Sequence, residues 1–298
     1  MLLQIAVFTL VSLFSPLVGL LLAVPFTGYI AGLSGKSKRF PTSNQVGSNL
    51  LKIFTLHLLL LIILVIIGFI SILAAFEILV AVGLTATLFN YFIHKTKDYM
   101  YSLLGAAVPG FLYIILKNIF LFDLIKQEVE QANEMFFSSM QNVISPEMME
   151  SMQQTMDIMS SLLIEGNAAI WMFSIVAGLA IGALIFSKKS NLLKWDFGLV
   201  QFPFYLQFLV ALALILFIIE MRTYSLNLLV ICSYFYLLQG YSVLFFYVRP
   251  TLAKKKILGI GILIIPIFSY FLLITLALIG LVDNWLNFRK FAIHKGES

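Results

Sequence analysis

Charged residues cut the chain into long uncharged stretches. Leu2–Leu33, Ile53–Phe76, Ile78–Ile93, Tyr99–Leu116, Gly166–Ser187, Phe197–Ile219, Thr223–Val248 and Ile257–Val282 hold no Asp, Glu, Lys or Arg. These stretches run from 16 to 32 residues. A hydrocarbon core ~30 Å thick needs about 20 apolar residues in a helix. Lipid offers the backbone no hydrogen-bond partner, so helices are the expected element. The pattern predicts an all-α, polytopic membrane helix bundle with about eight transmembrane helices. It reads as a single integral membrane domain over 1–298. The first stretch would be ~48 Å long as a straight helix, and Pro16 and Pro25 interrupt it. One kinked span with a short helical extension is expected, with two short half-helices as the alternative. Its length and its uncharged start argue for a span, and no signal peptide is expected here.

Residues 1–121 hold the early spans and 166–298 the late spans and tail, and the segment 122–165 differs from both. Asp123–Glu165 carries eight acids against Lys126 alone, and seven of the 11 methionines lie between Met135 and Met159. Apolar residues recur at helical spacing in two sets: Val129, Phe136, Met140 and Val143, then Met152, Met156, Met159 and Leu163. Ser145–Pro146 between them suits an N-cap followed by a first-turn proline. An external amphipathic helical hairpin is expected, either lying on the membrane surface or capping an outward-facing pocket.

Composition supports the membrane reading: 61% of residues are hydrophobic, 11% are charged and mean hydropathy is +1.02. A soluble domain is about 45–50% apolar and about 25% charged. The net charge of +5 does not point to nucleic acid, because basic residues in membrane proteins gather in cytoplasmic loops. With the N-terminus outside, 13 of the 19 basic residues fall in the cytoplasmic loops, among them Lys36, Lys38, Arg39, Lys95, Lys97, Lys188, Arg249 and Lys254. The outer loops then hold only Lys126 and Arg222, while the tail, with Arg289, Lys290 and Lys295, falls outside against the rule. Cys232 is the only cysteine, which excludes an internal disulfide.

Motifs for chemistry are sparse. Gly35-Lys36-Ser37 resembles the end of a phosphate loop, but Ile30 stands where the pattern needs glycine. The methionine cluster suits apolar packing better than Cu(I), since no His or Cys lies nearby. His57, His94 and His294 form no zinc pattern, and His57 is placed near the cytoplasmic end of its span. No nucleophile–base arrangement or cofactor loop stands out, so no enzyme activity and no cofactor are expected. Ionisable groups at membrane depth carry the most weight. Glu77 falls between the second and third spans, and Lys117 and Asn118 near the outer end of the fourth. Glu77 and Lys117 both lie toward the outer leaflet, set to pair or to face one cavity; snorkelling to the interface is the plainer reading. Asn227 lies near the outer end of its span and completes the candidate ligand-binding set. Gln201, Gln207, Ser233 and Gln239 suit bridges between helices, and Gly28-x-x-x-Gly32 and Gly178-x-x-x-Gly182 suit close packing.

Lys194–Asp196, the run from Asn227 to Gln239-Gly240, and Gly280, Leu281, Asp283, Trp285, Phe288 and Arg289 together resemble the YybS-like family, a bacterial multi-pass membrane domain of unknown function. The resemblance covers about residues 166–291. That family is distantly similar to the substrate-binding components of energy-coupling-factor transporters. The resemblance implies a transporter-like or substrate-binding component of the bacterial cell membrane, without its own ATPase. It also implies a small-molecule substrate and a separate energising ATPase module as partners, besides the lipid bilayer. A membrane interaction or scaffold protein is the alternative. In the closing motif, Asp283 is expected to cap a helix and Arg289 to pair with it or with lipid phosphate. Trp285 and Phe288 are expected at the interface. The charge bias predicts that a Ser138→Cys variant is labelled by a membrane-impermeant maleimide from outside intact cells. Labelling only after the cytoplasmic face is opened would reverse the orientation.

Overall fold

The computed structural model describes residues 1–33, 42–140, 146–189 and 196–290. Gly35-Lys36-Ser37, Lys38, Arg39, Val143, Ser145, Lys194, His294 and Lys295 lie outside the described residues. Among those described, the chain is helical and has no strand. Its helices are α1 Leu2–Ser12, α2 Pro16–Ile30, α3 Ser43–Ile66, α4 Ile72–Ile78, α5 Thr85–Thr96, α6 Tyr99–Phe120, α7 Phe122–Met140 and α8 Pro146–Glu165. α9 Asn167–Lys189, α10 Leu206–Ile218, α11 Arg222–Lys254, α12 Lys256–Ile264 and α13 Tyr270–Leu286 complete the set. A π-helical turn, Leu79–Leu84, joins α4 to α5 without a break.

Among the described residues, five helices are long and apolar enough to cross a membrane: Asn44–Ile66, Ile72–Thr96, Tyr99–Phe120, Asn167–Lys188 and Arg222–Lys254. A sixth span results if the pair Lys256–Phe268 and Tyr270–Leu286, bent by 103°, is counted as one. The charge-based boundaries shift because a charge does not stop a helix. Lys52 lies inside α3, which starts at a capping box in which Thr42 and Gln45 satisfy each other's backbone N–H. Glu77 lies inside α4; the turn before it is made by Gly68, at φ +73°, and by Ser71, whose hydroxyl accepts from Ala74 N.

The first apolar stretch forms the two short helices of the alternative reading. Ser15 is extended and Pro16 opens α2, so the chain turns at Leu13–Ser15 and α1 packs back on α2. A Cβ on Gly19 would fall 2.6 Å from Ser12 Cβ, which shows how tight this hairpin is. α2 then runs alongside α9: Leu17 meets Gly178, Val24 meets Gly182 and Gly28 meets Phe186. The paired numbers rise together, so the two helices are parallel. Gly178, the partner of Leu17, lies eleven residues past the start of α9, ~16 Å along it at 1.5 Å per residue. The hairpin tip therefore sits about halfway along the bundle, and residue 1 returns to the end where α2 finishes.

The last stretch also doubles back. A Cβ on Gly240 would fall 1.9 Å from Leu276 O, and one on Gly280 1.9 Å from Tyr236 O, so the backbones of α11 and α13 touch. Gln239 reaches Asp283, and Tyr247 Oη donates to Phe288 O at 2.7 Å. From Tyr236 through Gln239 to Tyr247 the partners advance from Gly280 through Asp283 to Phe288, so α13 runs parallel to α11 and α12 must return the chain between them. Phe288, just after α13, thus lies against Tyr247, two residues before Arg249, which is itself paired to Asp196. The sequence leaves the side of Arg289 and Lys290 open, because Pro266 could bend the last stretch; the fold-back puts them at the same end as Arg249.

α7 and α8 pack on each other, bridged by Asn133 Nδ2 donating to Ser160 Oγ at 2.7 Å. They meet the bundle chiefly through α6 and α9, the helices they continue. Met152 and Met156 are half-buried, whereas Met159 and Leu163 are exposed, so the expected stripe is split. Gly280→Ala should lower the melting temperature in detergent sharply, since overpacking a core typically costs ~1–3 kcal/mol of stability. Gly261→Ala, where an added Cβ meets nothing within 4 Å, should leave it unchanged or raise it. Equal effects of the two would disprove the α11–α13 backbone contact.

Candidate functional site

Interrupted backbone at membrane depth must find partners within the protein. Among the described residues, three such interruptions meet buried polar side chains, at the hairpin tip, the π-helical turn and the non-helical stretch 200–205; the bend between α12 and α13 is a fourth. Gln239, fully buried on α11, serves the third: its Oε1 accepts from Phe202 N at 2.9 Å. Ser242 Oγ donates to Val200 O at 3.2 Å. The Gln239 amide nitrogen then donates to Asp283 Oδ2 and Asn284 Oδ1, both at 2.9 Å. Asp283 is fully buried and also accepts from Phe288 N at 3.0 Å and from Arg289 Nη2 at 2.5 Å. Gln239, Gly240, Gly280, Asp283, Phe288 and Arg289 thus meet at one helix crossing, while Trp285 points outward, 58% exposed. Each partner of Asp283 comes from this chain, so the network holds α13, its C-terminal turn and the unwound stretch together.

The hairpin tip and the π-helical turn meet each other. His57 lies mid-length in α3, not near its end, because α3 starts ten residues before the uncharged stretch. Its ring is fully buried, with Nδ1 2.8 Å from Thr9 Oγ1 on the hairpin. Thr9 Oγ1 donates to Ile5 O at 2.7 Å, and Ser12 Oγ donates to Thr9 O at 2.6 Å. On the other side the ring packs on Gly83 of the π-turn, where an added Cβ would fall 2.4 Å from Cδ2. Thr85 Oγ1 donates to Val80 O at 2.8 Å, filling an acceptor of that turn. Asn90 holds the hairpin lower down, donating to Val24 O at 3.0 Å and to Ala86 O at 2.9 Å.

The four candidate ligand residues do not converge. Lys117 Nζ lies 2.5 Å from Glu77 Oε1, and Tyr113 Oη donates to the same oxygen at 3.3 Å. Asn118 Oδ1 is buried with no hydrogen-bond partner among the described residues. Asn227 is elsewhere, spanning the α8–α9 junction: Nδ2 donates to Glu165 O at 2.5 Å and to Thr223 O at 2.9 Å, and Oδ1 accepts from Ala169 N at 3.0 Å. Its hydrogen-bonding capacity is spent on the backbone, leaving little for a ligand. Two cavities stand out, and both are apolar. One of about 260 Å³ lies between α3 and α4, beside Leu61, Val65, Ile72 and Phe76; one of about 120 Å³ lies between α9 and α11, beside Phe173, Ala177, Tyr234 and Leu238. Neither is lined by α7 or α8. Thr9, His57 and Gly83 were the residues that sequence patterning missed as a group. A lone histidine in an uncharged stretch was the one signal available.

Comparison with known families, curated proteins and solved structures finds no match. Removing one member of the buried pair leaves the other uncompensated, at about 3–5 kcal/mol. Asp283→Asn and Arg289→Gln should each lower the melting temperature strongly, and the double variant less than the sum. Additive losses in this double-mutant cycle would show that the two side chains are not coupled.

Proposed function

We propose that the chain is a multi-pass protein of the bacterial cell membrane, transporter-like and without an ATPase of its own. About eight apolar blocks lie in the membrane under this reading, of which the α1–α2 and α12–α13 pairs are folded back rather than simple crossings. The basic ends of α5, α9 and α11 then face the cytoplasm, joined by residue 1 and by Arg289 and Lys290. The α7–α8 hairpin projects outside.

One observation carries the reading: His57 and Thr9 join the tip of a half-length hairpin to a π-helical turn at mid-depth. Discontinuous helices meeting near the bilayer midplane are the usual architecture of secondary-transporter sites, and π-turns gather at functional sites. Buried polar groups at that depth are costly and are kept where solutes or ions are handled. The YybS-like resemblance points the same way. The substrate class is a small solute, and a separate ATPase module is the expected energising partner. A second reading, a membrane-anchored interaction protein, is favoured by the exposed Met135, Met148, Ile158 and Met159 of α7–α8.

Extraction in mild detergent followed by native mass spectrometry separates the two. The transporter-like reading expects a bound small molecule or co-purifying ATPase subunits. Recovery of the chain with neither, together with a non-ATPase protein released by deletion of residues 122–165, would replace it with the second reading.

A further inference from the structure

We propose that the cavity between α9 and α11 binds a neutral, ring-sized apolar molecule carrying one hydrogen-bonding group, held by the Tyr241 hydroxyl. The cavity arises from residue size. Gly178 and Gly182 draw one side of α9 against α2. On its other side Phe173, Ala177 and Ala180 face Tyr234, Leu238 and Tyr241 of α11. Each set repeats at four- and three-residue spacing, so each is a single helix face. The alanine methyls do not reach α11, and about 120 Å³ stays empty between the two helices.

The chemistry of the wall selects the occupant. No charged residue lines the cavity, so a charged ligand would enter without a counter-ion. Tyr241 Oη is buried and has no hydrogen-bond partner among the described residues. No other residue lining either cavity carries such an orphaned atom. Buried tyrosine hydroxyls normally find a partner, and at membrane depth lipid tails supply none. Water is a poor occupant: a buried water makes about three hydrogen bonds, and the only polar side-chain groups in the wall are the hydroxyls of Tyr234 and Tyr241. A lipid tail fills the volume but leaves Tyr241 unpaired. A ring-sized molecule with one hydroxyl or carbonyl oxygen meets both demands. An apolar cavity of about 150 Å³ takes up benzene. The rings of Phe173 and Tyr234, 5.1 Å apart, offer aromatic surface to a third ring.

Phe173 is 44% exposed at the rim. The cavity therefore opens sideways, toward lipid when α9 and α11 cross a membrane. The ligand reaches it from the bilayer, where neutral apolar molecules collect. Inward, Leu103, Phe202 and Phe235 close against Val176 and Leu238 and leave no room for a water molecule. The site is a side pocket and not a through path. It gives the transporter-like reading a solute class, but it rests only on the membrane placement of α9 and α11.

The test is 19F NMR of the full chain in nanodiscs, with para-fluorophenol and fluorobenzene as probes and empty nanodiscs as the background. Affinities are referred to the probe concentration in the bilayer, since the two probes partition differently. Saturable, chain-dependent line broadening is expected for both, with para-fluorophenol the tighter by about three- to tenfold, the net effect of one hydrogen bond. Ala177→Leu fills the cavity and should abolish saturable binding while the melting temperature holds or rises. Tyr241→Phe keeps the ring and should bring the two probes to equal affinity; it decides alone if Ala177→Leu fails to fold. Broadening that does not saturate, that survives Ala177→Leu in a folded chain, or that is equal for the two probes in the unsubstituted chain would overturn the proposal. So would a phospholipid seen by native mass spectrometry that is lost on Ala177→Leu and not displaced by para-fluorophenol. A chain that binds the probes as expected yet moves no solute would leave this site standing while the transport reading falls.

Discussion

Backbone polar groups in hydrocarbon have no partner except the protein itself, and the architecture follows from that constraint. At three of the places where the described chain interrupts its apolar helices, a buried polar side chain matches the break. Gln239 and Ser242 serve the stretch at Val200–Phe202, Thr85 serves the π-turn, and Thr9 and Ser12 serve the hairpin. An orphaned buried group costs about 1–3 kcal/mol. Losing one of these side chains therefore threatens an element and not just a contact. Gln239 is the most constrained, because it joins the unwound stretch to the Asp283–Arg289 pair.

Lipid-embedded helices gain nothing from hydrophobic exclusion of one another, so close approach has to supply their packing energy. Glycine provides it at both fold-backs. Gly178 and Gly182 let α9 contact the α2 backbone, and Gly240 and Gly280 do the same for α11 and α13. Both contacts are parallel, each made by a short helix returning alongside a long one. Such a return brings both ends of the described chain to the end of the bundle that carries Lys95, Lys188 and Arg249. The basic segment after α13, anomalous in a simple eight-crossing count, then falls in line with its neighbours.

Helical class and most long helices were legible because uncharged runs record what lipid tolerates. Their limits were not, because Lys52 and Glu77 mark depth and pairing and do not end a helix. The fold-backs were invisible to hydropathy: a half-length hairpin and a full crossing have the same composition. Pro16 gave a local hint, but only the packing of Gly19 on Ser12 decides its meaning. Among site residues, topology put Glu77 and Lys117 in the same leaflet but left snorkelling as the plainer reading over their pairing, whereas the capping role of Asn227 needs the three-dimensional junction of α8 and α9. His57 was visible as a residue, but its link to Thr9 spans 48 positions and no spacing rule connects them.

The hairpin at the N-terminus is the central claim, and the side on which residue 2 emerges tests it most directly. A Leu2→Cys variant, with Cys232 replaced by serine, can be probed with impermeant maleimide on intact cells and on inverted vesicles, with Ser138→Cys as the external reference. A hairpin that enters and leaves at one end predicts labelling of residue 2 from the cytoplasmic side only, opposite to residue 138. Labelling of both positions from outside would show that residues 2–33 cross the membrane and would contradict the account.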